Sequence, residues 1–290
     1  MYRIEILPLD QIEPYLSFTF PYYREQIEQG PQQGKWIAIG AAEHTTPVGL
    51  ALAAIDGDCG NLVSLYVNPQ QRRQKVGTRL MEALEEAIQE MGCRSLSLNY
   101  TTKRATAANL ESILTQLNWP LPTCQMFFCE YDMLALQHPP FAEFQPLAHP
   151  FTLFPFDAIT DAEKTWIQDH CGTLFPRELD PLRDRENLES LNSIGLRFQN
   201  ELIGWIVTHR ISLETIRYTS LFVKPAFRPK GVAIALMAEA VRKQFLCREL
   251  APRALHGTYV TADAMMRVIH KRLLPFTDQH YFSKSTTKSF

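Results

Sequence analysis

"SLYVNPQQRRQKVGTRLMEALEEAI", residues 64–88, passes from an apolar strand through a proline-marked turn and a run of cations to a glycine and a long amphipathic stretch. From position 76 onward Val76, Leu80, Leu84, Ile88 and Met91 recur at three- and four-residue steps, with Ala83 and Ala87 widening the stripe, which predicts a helix over 73–91. A helix start leaves backbone N–H groups unpaired and carries the positive end of the helix dipole. A turn of this kind therefore suits a phosphate or pyrophosphate. Arg72, Arg73 and Lys75 add charge-assisted donors. Neither GxxxxGK[ST] nor a GxGxxG after a strand is present, which argues against a P-loop nucleotidase and a dinucleotide-binding dehydrogenase.

Working outward, "WIAIGA" (36–41), "VGLALAAI" (48–55) and "NLVSLYV" (61–67) read as a strand meander before the junction. "SLSLNY" (95–100), a helix marked by Leu110, Ile113, Leu114 and Leu117, and a strand at "CQMFFCEY" follow it. The segment "MLALQHPPFAEFQPLAHPFTLFP" then breaks both periodicities with five prolines and reads as a linker. Beyond it, Thr160 and Glu163 form a capping-box pattern. Strands at 194–199, 202–210 and 215–223, a helix at 231–246, the strand "ALHGTYV" and a helix near 261–273 complete the series. One fixed offset carries Val67 to Val223, Pro69 to Pro225, Arg72 to Arg228, Gly77 to Ala233, Leu80 to Leu236 and Met81 to Met237, so the chain is an internal duplication. The expected division is an N-terminal domain at 1–135, a proline-rich linker at 136–155 and a C-terminal domain at 156–290.

Composition narrows the function. The net charge of −2 gives no electrostatic case for nucleic acid. The six cysteines include no CxxC pair and no histidine spacing for zinc, so no metal is expected and the thiols read as reduced. No apolar run approaches the roughly 18 residues of a membrane span, and the N-terminus alternates like a strand rather than like a signal peptide. The expected site of action is the cytoplasm, away from membranes.

The pattern strand, V-x-P-x-x-R-x-x-[G/K]-V-[G/A], helix resembles the GNAT superfamily of N-acetyltransferases, whose pyrophosphate signature is Q/R-x-x-G-x-G/A. "RPKGVA" (228–233) matches it fully, and "RRQKVG" (72–77) matches except that Lys75 stands at the first glycine. The resemblance implies two tandem α/β domains, each a mostly antiparallel twisted sheet flanked by helices. It implies acetyl-CoA as acyl-donor cosubstrate and a primary amine of a small molecule or peptide as acceptor. It also implies that the strands on either side of the cofactor helix splay to admit the pantetheine arm. Carried over residue by residue, the cofactor site comprises Leu65, Tyr66, Val67, Arg72, Arg73, Gln74, Lys75, Val76, Gly77 and Thr78, with Phe222, Val223, Arg228, Lys230, Gly231, Val232 and Ala233 in the second copy.

The family's usual acid and base are not found. The position where a catalytic tyrosine is expected, counted back from Trp119, holds Leu114; the last helix offers His270 or Lys271. No glutamate lies on either fourth strand, leaving Asp56, Asp58 or His209 to act through water. Tyr100 and Tyr259, which end the fifth strand of each copy, are the candidate general acids. These gaps keep an alternative open, a catalytically degenerate tandem protein that binds CoA as a sensor or scaffold. The acceptor walls are expected at 11–35 and 161–193, and the carboxylates of "FPRELDPLRDRE" with the aromatic rings of "FPYYREQ" favour a cationic or amine-bearing acceptor. Between the copies, Thr78 against Ile234, and Pro229 with its missing N–H, favour the N-terminal half as the working site.

Overall fold

The computed structural model describes residues 2–28 and 35–290. The chain divides into two compact units, one of residues 1–125 with 282–290, the other Met126–Tyr281. The division therefore falls at 125/126 and 281/282, not within 136–155.

In the first unit the strands are β1 (Tyr2–Ile6), β2 (Lys35–Glu43), β3 (Thr46–Asp56), β4 (Cys59–Val67) and β5 (Ser95–Thr101), and the helices are α1 (Pro21–Glu28), α2 (Val76–Glu90) and α3 (Ala107–Gln116). The order is β1-β2-β3-β4-β5, antiparallel except for the parallel β4–β5 pair. Apolar alternation on β2 and β3 meets the stripe of α2, burying Ile39, Ala51, Leu80, Met81, Leu84 and Ile88 in one core. Each such leucine or isoleucine is worth about 1.5–3 kcal/mol of burial.

The second unit repeats this plan. Its elements are β6 (Thr123–Asp132), β7 (Phe151–Pro155), α4 (Asp161–His170), β8 (Ile194–Phe198), β9 (Glu201–Arg210), β10 (Thr215–Val223), α5 (Val232–Leu246), β11 (Arg253–Tyr259) and α6 (Asp263–Arg272). The order is β6-β11-β10-β9-β8-β7, with β10–β11 the parallel pair. The capping box at Thr160 and Glu163 forms as expected, and Glu163 also holds Arg197 at 2.7 Å. β7 arises inside the segment read as linker.

The main departure from the sequence reading concerns the sixth strand of each unit. β6, expected to close the N-terminal domain, pairs from Met126 to Asp132 with β11 of the second unit. The chain's last strand, β12 (Gln279–Ser289), which the sequence reading omits, pairs from Ser283 to Ser289 with β5 of the first. Side-chain complementarity favours this exchange. On β6, the Tyr131 hydroxyl meets His256 Nε2 at 2.9 Å and the Glu130 carboxylate accepts the Tyr281 hydroxyl at 2.8 Å. On β12, Lys284 reaches Glu111 at 2.8 Å, Thr286 reaches the Pro120 carbonyl at 2.8 Å and Lys288 reaches Glu85 at 2.6 Å. These three alternate residues share one face. That face is polar, so no hydrophobic periodicity announces the strand.

Candidate active site

The β4–β5 pairing in the first unit runs only from Cys59↔Ser95 to Leu62↔Leu98. At that point β4 carries a bulge at Val63, where Leu52 pairs with Ser64 and Ala53 with Leu62. A bulge bends its strand and raises its twist, so β4 turns away from β5. The two strands diverge into a cleft of about 990 Å³ lined by Leu65, Tyr66 and Val67 on one side and Asn99 and Tyr100 on the other. Phe18 stacks on Tyr66 at 4.9 Å, and the Ser64 hydroxyl donates to the Phe18 carbonyl at 3.2 Å, fixing the segment before α1 as a further wall.

The turn that follows β4 closes one end of the cleft. Asn68 caps it by accepting from the Gln70 N–H at 3.2 Å, and Arg72 Nε donates to the Val67 carbonyl at 3.0 Å. Lys75 sits in the left-handed region at φ 63°, the conformation the family's glycine would adopt without strain, and Arg73 does so at φ 64°. Helix α2 starts at Val76, and its first i→i−4 bond runs from Arg79 N–H to the Lys75 carbonyl at 3.0 Å. The N–H groups of Val76, Gly77 and Thr78 precede that bond at the dipole's positive end. A Cβ on Gly77 would stand 3.0 Å from Ile113 Cδ1, so the residue also lets α3 close on α2.

Most of the cofactor residues expected in this copy line the cleft: Leu65, Tyr66, Val67, Arg72, Arg73, Lys75, Val76, Gly77 and Thr78. Gln74 does not. Its side-chain oxygen accepts the Tyr2 hydroxyl at 2.7 Å. Thr78 Oγ1 approaches Gln116 at 3.5 Å, a long contact that leaves the hydroxyl weakly engaged.

Tyr100 lines the cleft, and its hydroxyl donates to Glu111 Oε1 at 2.5 Å. Lys284 donates to the same oxygen at 2.8 Å. Burial, then the Glu111 carboxylate, pushes the Tyr100 phenol above its ordinary value. The hydrogen bonds from Lys284 and Tyr100 pull Glu111 below its own. The phenol is thus kept protonated, with its proton directed at Glu111. Sequence reasoning missed Glu111 and Lys284, because only the pairing of β12 with β5 brings Lys284 to α3. Of the other acid–base candidates, Leu114 is core; Asp56 and Asp58 flank the β3–β4 turn, where Asp58 faces Arg94 at 3.5 Å. Of the wall expected over 11–35, residues 29–34 lie outside the described residues.

The second unit has the same frame with different contents. The β10–β11 pairing ends at Tyr218↔His256 and β10 bulges at Thr219. Arg228 Nε donates to the Val223 carbonyl at 2.8 Å, and Gly231 takes the left-handed position at φ 73°. The turn holds a 3₁₀ helix of six residues, Pro225–Lys230, where the first unit has one of three, Pro69–Gln71. It spends the Gly231 N–H on Arg228 at 3.2 Å, and the Ile234 N–H returns to Gly231 at 3.1 Å. Phe222, the counterpart of Tyr66, is only 3% exposed, packed against Trp205 at 4.6 Å and Phe175 at 5.1 Å. Ser220 donates to the Leu179 carbonyl at 2.6 Å, and Trp205 Nε1 donates to Ser220 at 2.9 Å. His209 is engaged with Thr219 at 2.9 Å, Lys230 lies 5.5 Å from the Phe227 ring, and Tyr259 ends β11 exposed. Val232 is buried at the start of α5, where Ala233 follows it.

The family model described as the acetyltransferase (GNAT) family matches residues 3–110 and again 157–267. The chain belongs to the GNAT acetyltransferase family. Its two matched segments make it a tandem GNAT protein. The tandem GNAT protein from the clavulanic acid biosynthesis pathway, solved without AcCoA, shares the fold with a TM-score of 0.67 at 12% identity, over 100% of this chain and 98% of that one. A GCN5-related N-acetyltransferase from Sphaerobacter thermophilus gives a TM-score of 0.60 at 15% identity, over 98% and 95%. A glucosamine N-acetyltransferase region of a fungal multi-domain GH3 β-N-acetylglucosaminidase gives 0.61 at 17%, over 99% of this chain and 38% of that one. No curated protein matches the chain. Among the described residues, no helix of this GNAT protein is long and apolar enough to cross a membrane.

Proposed function

We propose that the chain transfers an acetyl group from acetyl-CoA to the primary amine of a small molecule or peptide terminus, and that the first unit holds the working site. The observation that carries this reading is the cleft between β4 and β5, about 990 Å³, closed at one end by a left-handed turn and a helix start. Its size lies at the upper end of small-molecule sites, and no carboxylate among its described lining residues would repel phosphates. Arg72, Arg73 and Lys75, with the N–H groups of Val76, Gly77 and Thr78, would hold the pyrophosphate. The backbone of Leu65, Tyr66 and Val67 would take the pantetheine arm as an added strand. Acetyl-CoA, when bound, supplies the activated acetyl group. A backbone N–H near Tyr66 would stabilise charge developing on the carbonyl oxygen. Tyr100 is the phenol we assign to proton transfer, supported over Tyr259 by its position in the cleft wall; to act it must leave Glu111. The second unit, where Phe222 is buried and the Gly231 and Ile234 N–H groups are bonded within the turn, buttresses the fold. The six free thiols support a cytoplasmic setting.

The engagement of Tyr100 by Glu111 favours one other reading, a CoA-binding sensor or scaffold without turnover. One experiment separates the two. The protein is incubated with acetyl-CoA, a broad amine panel and a thiol reagent, and acetyl-CoA binding is measured by calorimetry. Amine-dependent CoA release with one site per chain supports the enzyme. Binding without release across the panel supports the sensor, and two sites per chain would return the second unit to cofactor binding.

A further inference from the structure

The charges around the first unit's cleft are one-sided. Its described lining includes Arg24, Arg72, Arg73, Lys75 and Arg104 and no carboxylate, and residues 29–34 contain no acid. Arg72, Arg73 and Lys75 belong to the turn before α2, where the donor's pyrophosphate is assigned. Arg24 and Arg104 do not. Arg24 stands on α1, where Nε and Nη2 donate to the Thr19 carbonyl at 3.0 and 2.8 Å, leaving Nη1 outside these bonds. Arg104 follows β5, and its guanidinium lies 5.9 Å from the centroid of the Phe20 ring. An aromatic face steadies a guanidinium without consuming its N–H donors, so the planar fork of Arg104 stays available for an oxyanion. A cleft that gathers cations without acids attracts and retains anions.

Resting on the acetyl-transfer reading of this cleft, we infer that its acceptor is an amine that itself carries an anionic group, a carboxylate or a phosphate, received by Arg104 and Arg24 beside Phe20. This keeps the amine expected from the sequence and adds an anion to it, since the acids of "FPRELDPLRDRE" belong to the second unit and do not line this cleft. The rings of Phe18 and Phe20 supply an apolar wall for the acceptor's body.

The test uses matched amines that differ in the anion alone: L-phenylalanine against phenethylamine, and phosphoethanolamine against ethanolamine. Each is titrated calorimetrically into the protein, free and saturated with CoA. The expected result is about tenfold or tighter binding of the anionic member of at least one pair, the fold-change that one charge-assisted hydrogen bond represents. The pair that responds tells carboxylate from phosphate. Arg104→Gln should abolish the difference, Arg104→Lys should restore part of it, and acetyl-CoA affinity should stay within about twofold, because no donor contact is lost. Equal or tighter binding of the neutral-tailed amines, or no binding by either anionic amine, would overturn the inference. So would an Arg104→Gln variant that loses acetyl-CoA as strongly as the amine, which would assign this arginine to the donor. Absence of acetyl-CoA binding by the unaltered protein would instead sink the acetyl-transfer reading, while the anion preference would still be read from the CoA-free titrations.

Discussion

The turns Arg72–Gly77 and Arg228–Ala233 differ in contents far more than in frame. Both place an arginine on the last carbonyl of the preceding strand, both hold a left-handed residue before the helix, and both follow a bulged strand. The second turn has the glycine the family signature asks for; the first has Lys75. Yet the cleft of about 990 Å³ lies in the first unit, whereas in the second Phe222 is packed beneath Trp205 and Phe175. The strain of a lysine at positive φ is about 1 kcal/mol, less than the roughly 1.5–3 kcal/mol of a charge-assisted hydrogen bond forgone where the Gly231 and Ile234 N–H groups are already bonded within the turn. The lesson is that a signature reports backbone conformation, and a site needs in addition that nothing else occupy the space beside it.

The sharpest way to break this comparison is to place a carboxylate at each turn. Gly77→Asp is expected to weaken acetyl-CoA binding on the order of 100-fold, since it sets a negative charge against the pyrophosphate. Gly231→Asp should leave binding intact and lower stability by about 1 kcal/mol through its positive φ. Calorimetric titration with a parallel thermal melt reads both effects, and loss of binding only in the Gly231 variant would transfer the site to the second unit.

Next in size, Tyr100→Phe should lower turnover by about tenfold or more and leave acetyl-CoA affinity nearly unchanged, as removal of a general acid does. Unchanged turnover would leave Tyr100 as an aromatic wall held by Glu111. Tyr259→Phe, its counterpart in the second copy, should leave turnover unaffected.

The strand exchange yields a smaller effect, on stability. Glu85 is 8% exposed and is bonded by Trp119 Nε1 at 2.6 Å and by Lys288 at 2.6 Å. Lys288→Ala removes the cation and should cost about 2 kcal/mol in urea denaturation. A loss indistinguishable from zero would mean that β12 is not held to α2 by this pair.

The smallest effect near neutral pH separates the cores beneath the two bulges. The last paired positions are Leu62↔Leu98 in the first unit and Tyr218↔His256 in the second, where the rings stack at 3.9 Å. Burial lowers the His256 imidazole from its ordinary 6.5 to about 3. A depressed folded value stabilises the protein fully above 6.5, and that contribution is lost as pH falls from 6.5 towards 3, because only the unfolded chain takes up the proton. Between pH 7 and 6 the change is about 0.7 kcal/mol, growing below that. Melts across pH 7 to 4 should show a flatter profile in His256→Gln than in the unaltered protein, and identical slopes would remove His256 from the account.

Tandem duplication, the order of strands and helices apart from β7 and β12, the cation-rich turns and the capping box at Thr160 were readable in the sequence. Each depends on local chemistry: apolar side chains recurring with helix or strand period, a proline that fixes a turn, an oxygen that reaches N–H groups three residues on. Three matters were decided only by tertiary structure. The partner of the sixth strand in each unit rests on contacts between residues far apart in the chain, Tyr131 with His256 and Lys288 with Glu85, and the polar inward face of β12 gives no periodic signal. The proton of Tyr100 is directed by Glu111, whose other partner Lys284 arrives on that same strand. The cleft beside the first turn, and the packing of Trp205 and Phe175 on Phe222 beside the second, are matters of side-chain volume in three dimensions that no local pattern encodes.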